Sequence, residues 1–521
     1  MKNDAPPAPR ELGPTLFIAL SSAAFLYWNL WLSPRIPILE GGDQVFFWMD
    51  AQRMLLGEHV YRDFFQFTPP GTDFFYLAVF KIFGPRIWVT NAIILLLGVA
   101  LALACYFVAR RLMNRAPAAL SAFLFLTLLY GKLLNATHHW FSVLAILVAV
   151  AVVLGGRSIT RMICAGAVLG VATFFTQTHA VVAALIIVLW LLREEYGREA
   201  SWRRAVVAPA VVLASLAIVT LALNAPLLSE IGLRQLWQFQ VSYVRHYMVG
   251  GLSQFPGLPE TVSLRRLPVV AQYIFVCEIL PFVYPLALVL LRFRPATRDQ
   301  AGNHTPLGAR RSASGTPSGI LLLALLGLAL FLEVATSANW LRLYVIAIPG
   351  VILLVWLADA AGRARRAILA LICAAIAILA ARDAWTRHHQ PYLVAQLPAG
   401  QAALDPLSAS KFAAISQRLH PGEFFFQATW PGAYLPLGLR NPVYLDALRN
   451  NDETRPECVT RSVADLESKQ VRYVLWSPRL DEVDPRAPQS NHLAPLRDDL
   501  RVHFQIIQTF ADGDQLWQRR P

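Results

Sequence analysis

The sequence predicts a mainly α protein: a polytopic helical membrane bundle with interfacial helices in its first external loop and a small α/β external domain at the C-terminal end. Three observations predict it. Apolar residues fill 56% of 521 positions against 15% charged, and mean hydropathy is +0.46, too apolar for a water-soluble chain of this size. The apolar residues gather into blocks of roughly 17 to 22, long enough to cross a hydrocarbon core of about 30 Å as helices that satisfy their own backbone hydrogen bonds. Beyond residue 381 the composition turns ordinary, with short apolar runs set between turn residues.

The first block, 14–32, is longer than a signal-peptide core and has no small-residue cleavage site after it, so it is read as an uncleaved span. Further spans are expected at 88–109, 116–132, 139–155, 162–177, 179–192, 205–226, 268–291, 319–335, 343–359 and 367–381, about eleven in all by length. Arginines mark the loops between them. Arg110, Arg111 and Arg115 follow the second span, Arg157 and Arg161 the fourth, and Arg193, Arg198, Arg203 and Arg204 the sixth. Arg292, Arg294, Arg298, Arg310 and Arg311 follow the eighth, and Arg363, Arg365 and Arg366 the tenth. Basic loops stay cytoplasmic, so the N-terminus is expected inside and segments 33–87, 227–267 and 382–521 outside, in the inner membrane of an envelope-bearing bacterium. The net charge of +13 is thereby a topology signal and not a nucleic-acid footprint.

Two domains are expected, 1–381 in the membrane and 382–521 as a soluble periplasmic or extracellular α/β domain. In the latter, 423–429 and 471–476 have strand character, 408–420 and 462–470 helical spacing, and 503–520 reads as a hairpin turning near Asp512-Gly513. Residues 296–318 read as a flexible cytoplasmic loop. Four cysteines fall in apolar blocks and Cys458 stands alone, so neither a disulfide framework nor a metal spacing can be built.

The most informative stretch is 39–86, external and rich in aromatic residues. An interfacial helix is expected over Val45 to Leu56, with Asp43 placed to cap it after Gly41-Gly42, and Asp50, seven residues on, returning to nearly the same face. Tyr61, Thr68, Pro69 and Pro70 are expected to shape the loop and its re-entry, because the proline pair fixes the backbone and cannot continue a helix.

The order Asp43, a helical stretch ending in Leu56-Gly57, then Val60-Tyr61-Arg62-Asp63-Phe64, Thr68-Pro69-Pro70-Gly71 and an apolar helix closing on Phe83-Gly84 resembles the GT-C glycosyltransferases. It is most similar to the branch holding protein mannosyltransferases and the aminoarabinose transferase of lipid A. The resemblance implies a multi-span enzyme that takes a sugar from a polyprenyl phosphate on the outer side of the membrane and passes it to a lipid, glycan or protein acceptor. It also implies that an acid of the first external loop is central to the site, and Asp43 matches that position. This chain has Asp43-Gln44 where many relatives have Asp-Glu.

The implied chemistry asks for little. A phosphate leaving group with a second pKa of about 6 departs without a strong general acid, so one carboxylate to deprotonate or orient the acceptor can suffice. Asp43 is the first candidate for that base and Asp50 the second. The donor phosphate calls for cations near the outer surface: Arg342 first, then Arg245 with His246 and Tyr247, and Lys81 with Arg86. Snorkelling to head groups is the plain alternative for Arg342. No cofactor is expected. The adjacent His138 and His139 sit in one external turn and His179 in the next, with no third ligand spaced to complete a site, so no metal site is predicted, with a divalent metal left open. Glu278 and Glu333 lie in apolar blocks, where a carboxylate is protonated or paired. Such acids also suit a transporter or flippase of envelope lipid precursors, and a non-catalytic envelope partner is a third reading. The concentration of unusual residues in an external loop favours the enzyme. In the C-terminal domain Asp446, Asp452 and Glu453 are expected without a catalytic role, in a solvated loop or as a rim contact with the acceptor.

Overall fold

The computed structural model describes residues 11–248, 267–293, 317–335, 338–449, 454–482 and 492–521. The chain is a multi-pass membrane protein, and each block expected to span falls on helix. These are α1 (Leu12–Leu30), then, beyond the first loop, α4 (Ile87–Arg110), α5 (Arg115–Leu128), α6 (His138–Leu154), α7 (Ile159–Phe175) and α8 (Gln177–Glu199). A short α9 (Trp202–Ala205) leads into α10 (Val207–Trp237), and α11 (Leu267–Ile274), α12 (Val283–Phe293), α13 (Pro317–Ala335), α14 (Trp340–Ile346), α15 (Ile348–Asp359) and α16 (Arg365–His388) complete the bundle. Among the described residues five helices are long and apolar enough to cross a membrane unaided, and α14 with α15 forms a sixth as a pair bent by 52°. Pro349 explains that bend, since it has no N–H to continue the ladder and restarts the helix in the first turn of α15. Pro281 similarly sits in a short 3₁₀ turn between α11 and α12.

The first loop begins with a small hairpin, β1 (Trp31–Ser33) and β2 (Ile36–Pro37), and continues as α2 (Gln44–Leu55) and α3 (Gly71–Phe83). The interfacial helix expected over 45–56 is therefore present within a residue at either end. At the far end of the bundle the arginine loops find acids: Arg110 and Arg115 both pair with Glu11 before α1, and Arg157 pairs with Glu194 and Glu195 at the end of α8.

Helix α16 runs to His388, and the chain then forms the hairpin β3 (Leu393–Leu397) and β4 (Gly400–Leu404), for which the sequence carried no expectation. The rest of the C-terminal part is α17 (Pro406–Ser416), β5 (Phe426–Gln427), α18 (Tyr434–Leu437), α19 (Pro456–Ser468), β6 (Tyr473–Trp476), α20 (Ala494–His503), β7 (Phe504–Thr509) and β8 (Gln515–Arg519). The sheet order is β5-β6-β8-β7, parallel between β5 and β6 and antiparallel elsewhere. Gly513, at φ +88°, turns the expected hairpin. The strand expected over 423–429 shrinks to two residues, because Phe424 leaves the sheet to bridge Arg440. The expected cytoplasmic loop lies almost wholly outside the described residues, as do Asp452 and Glu453.

This C-terminal part is stitched to the first loop. The Leu39 N–H donates to Ala403 O at 3.0 Å, Ile87 N–H to Ala399 O at 3.1 Å and Phe65 N–H to Tyr444 O at 2.8 Å. The loop bearing the candidate residues is thus held between two bodies.

Candidate active site

Gly42 turns the chain into α2 at φ +80°, close against Asn135 of the α5–α6 connection. Asp43 then stands at the cap position of α2, but its carboxylate accepts no hydrogen bond from the helix. The capping role expected of it is corrected: Asp43 itself takes helical dihedrals, φ −58° and ψ −17°, which turns its side chain away from the first-turn N–H groups. What the carboxylate meets instead is charge. Partial burial pushes its pKa up, opposed by the charges of Arg449 from the C-terminal domain and Arg342 from α14. Asp43 remains half-buried and accessible.

The neighbouring Gln44 is buried and uses both ends of its amide. Its Nε2 donates to Gly41 O at 2.9 Å, and its Oε1 accepts from Ala136 N–H at 3.0 Å. A carboxylate could not make the first of these bonds. Gln44 therefore holds the Asp43 turn to the α5–α6 connection, a task for an amide.

Asp50 returns to the face of Asp43 as its spacing predicts, but it is fully buried in a cluster of acids. Gln66 Nε2 donates to Asp50 Oδ2 at 3.0 Å and lies 3.4 Å from Asp73 Oδ2, while its Oε1 accepts from the N–H groups of Phe67 and Thr68. Asp446 joins from the C-terminal domain. Burial, reinforced by one another's charges, pushes the carboxyls of Asp50, Asp73 and Asp446 well above the usual range. Arg53, 4% exposed, is the cation of this cluster: it pairs with Glu58 at 2.7 Å, donates to Val443 O at 2.9 Å and reaches Asp446 at 3.9 Å. The solvated setting expected for Asp446 is corrected, because Val443, Tyr444, Leu445 and Leu448 bury the segment that carries it.

Tyr61 and the proline pair shape the loop. Tyr61, at φ +69°, donates from its hydroxyl to Thr68 O at 2.7 Å, accepts from Gln240 at 3.0 Å and stacks on Phe239 with centroids 5.3 Å apart. Pro70 sets the start of α3, whose Gly71 packs so closely on Phe174 that an added Cβ would lie 2.4 Å from its carbonyl oxygen.

Of the candidate cations, Arg342 is the one whose charge acts on Asp43. Lys81 is exposed in the last turn of α3, Arg86 is exposed and reaches Pro398 O, and Arg245 is exposed on the helical turn following α10; none of these three is among the charges acting on Asp43. The side chains of His246 and Tyr247 lie outside the described residues. Glu278 points out of the bundle.

Sequence reasoning did not join His139 and His179 to Glu333, and the structure does. Glu333 Oε2 lies 2.8 Å from His179 Nδ1, and His179 Nε2 lies 3.2 Å from His139 Nδ1. A carboxylate accepting from Nδ1–H leaves neutral His179 to accept from His139, so the chain has a defined polarity. It ends beside His138, whose ring lies 3.9 Å from that of His139. The available signal was position: the two histidines open α6 and α8, and Glu333 closes α13, so alternation puts all three at one membrane surface. Among the described residues no group of three or more His, Cys, Asp or Glu is arranged to hold a metal ion.

Residues 68–223 match the family model for dolichyl-phosphate-mannose-protein mannosyltransferase, a stretch that holds α3 to most of α10 but starts after Asp43 and Asp50. No curated protein matches the sequence. Among solved structures, ArnT from Cupriavidus metallidurans, bound to undecaprenyl phosphate, is similar at 13% identity and TM-score 0.57, covering 97% of this chain and 98% of that one. The archaeal oligosaccharyltransferase AglB from Archaeoglobus fulgidus, in complex with an inhibitory peptide and a dolichol-phosphate, is similar at 12% identity and TM-score 0.54, covering 97% of this chain and 74% of that one. Identities this low carry the fold alone. The family match over 68–223 and the fold agree in likening the chain to integral-membrane glycosyltransferases.

Proposed function

We propose that the protein transfers a sugar from a polyprenyl-phosphate donor to a lipid, glycan or protein acceptor at the outer face of a bacterial inner membrane. One observation carries this reading: Asp43 is an accessible carboxylate that caps nothing and lies in the field of two arginines, Arg342 from the membrane helices and Arg449 from the C-terminal domain. Asp43 takes the acceptor's hydroxyl proton, and the oxygen attacks the anomeric carbon from the side opposite the phosphate. The bond to the phosphate breaks with inversion, and the leaving group gains one negative charge. Arg342 is the group assigned to balance that charge. Membrane lipids supply the setting, with residues 1–381 as the transferase body and 382–521 as an outer domain; the reaction so drawn needs no cofactor.

The experiment is sugar transfer, or donor consumption, by the purified full-length protein. Arg342→Ala is expected to raise the KM for the donor by roughly tenfold or more, the worth of a hydrogen bond to a charged group. An unchanged donor KM would return Arg342 to a head-group contact.

The orientation rests on the arginine loops. Reporter fusions at residue 310 and just beyond residue 390 are expected to report opposite sides of the membrane, cytoplasmic for the first. The same side for both would mean that the number of crossings between them is even.

A further inference from the structure

A cavity of about 480 Å³ lies between the first loop and the C-terminal domain, within the range of roughly 300 to 1,000 Å³ usual for small-ligand sites. We propose that it is the acceptor subsite and that it takes a neutral, hydroxyl-rich saccharide unit. This rests on the glycosyl-transfer reading above and names the acceptor class that reading leaves open.

Position comes first. Gly41, Val45 and Trp48 line the cavity, and Asp43 begins the helix that carries the last two. A ligand extending past Gly41 therefore arrives at the Asp43 turn, without entering the acid cluster around Asp50.

The walls select the ligand. Of the aromatic residues lining it, Trp48 and Phe412 are buried, whereas Trp430 keeps 40% of its surface exposed although it makes an edge contact with Phe46 at 5.0 Å. An exposed indole suits the C–H face of a pyranose ring. The four carboxylates and Lys411 are already engaged. Glu40 pairs with Arg387 at 2.6 Å, and Asp405 accepts from the N–H groups of Leu407 and Ser408 at 3.0 Å. Lys411 bridges Asp512 and Asp514 at 2.6 Å each. With Arg479, the lining holds four carboxylates against two cations. An anionic ligand would be repelled, and an acyl chain would cover carboxylates without bonding them. Hydroxyl groups can donate to the spare lone pairs of these carboxylates while leaving each ion pair in place.

The test uses the full-length protein in nanodiscs and ligand-observed NMR with neutral disaccharides of glucose, galactose and mannose, beside a sulfated disaccharide. At least one neutral disaccharide is expected to bind, the sulfated one more weakly, and Trp430→Ala to weaken neutral binding about tenfold while Trp430→Phe retains most of it. Binding of undecaprenyl phosphate should be unchanged in Trp430→Ala, which also reports on folding. No binding by any neutral disaccharide, preference for the sulfated one, or indifference to Trp430→Ala overturns the proposal. Asp43→Asn separates the two readings: it should lose transfer and keep saccharide binding. Transfer by the wild type without saccharide binding overturns this proposal alone, whereas saccharide binding without any transfer overturns both the acceptor role and the transferase reading.

Discussion

Replacing Asp43 by Asn is expected to lower sugar transfer by roughly a hundredfold or more, the usual contribution of a general base, with the fold intact. The structure separates the two effects cleanly. Because the carboxylate makes no capping bond, the substitution removes no helix contact. Its effect on stability has a defined sign. Burial raises the folded-state pKa, so the folded form binds the proton more tightly than the unfolded chain. Stability from that proton is fully present below the unfolded value of about 3.9 and is lost as pH rises through the raised folded value. At neutral pH the ionised Asp43 therefore costs stability, and Asn should be at least as stable as the wild type. The same shift gives transfer an acidic limb, since only the ionised form can accept the acceptor's proton. Turnover by Asp43→Asn, measured with a polyprenyl-phosphate sugar, at more than about a third of the wild-type rate would remove Asp43 from the mechanism.

Much of this arrangement was legible before the structure, and the remainder was not, for reasons that differ by residue. Helix positions in the bundle follow from apolar blocks that can satisfy their backbones in only one way. The Asp43–Asp50 spacing follows from helical periodicity, and the hairpin at Asp512-Gly513 from turn chemistry. Arg449 was not legible, because nothing local says that a residue some 400 positions away will face Asp43. Asp446 was partly legible. The apolar residues on both sides of it, Val443 to Leu445 and Leu448, signalled a buried segment, yet a lone acid reads as solvent-facing until its partner Arg53 is placed. Asp50 shows the converse: its face was predicted correctly, but periodicity alone does not tell an open face from one covered by another domain. The acids that share Asp50's proton balance come from α3 and from the C-terminal domain, so its character is set by packing between distant segments.

That packing leads to the largest expected stability effect, at Arg53. Arg53→Met keeps the length and apolar stem of the side chain but removes the guanidinium that contacts Glu58, Val443 O, Asp63 O and Asp446. Breaking a buried ion pair by deleting one partner costs about 3 to 5 kcal/mol, because the other charge is left uncompensated. Two buried carboxyls, Asp50 and Asp446, feel this cation, and they can limit the loss by staying protonated. Their folded pKa values already lie above the unfolded ones, and losing Arg53 raises them further. The defect should thus be smallest at low pH, where both hold protons, and should grow as pH rises through their range. The measurement is thermal inactivation of the detergent-solubilised protein at about pH 5.5 and pH 8, read as a rate because a protein of this kind unfolds irreversibly. Arg53→Met should inactivate markedly faster at the higher pH, and Arg53→Met with Asp446→Asn should recover part of the loss, giving a coupling between the two sites. Equal inactivation rates for wild type and Arg53→Met at both pH values would mean that the acid cluster does not join the first loop to the C-terminal domain, and that the junction is carried by the backbone bonds through Leu39, Phe65 and Ile87 with side-chain contacts such as Tyr444 to Tyr61 O.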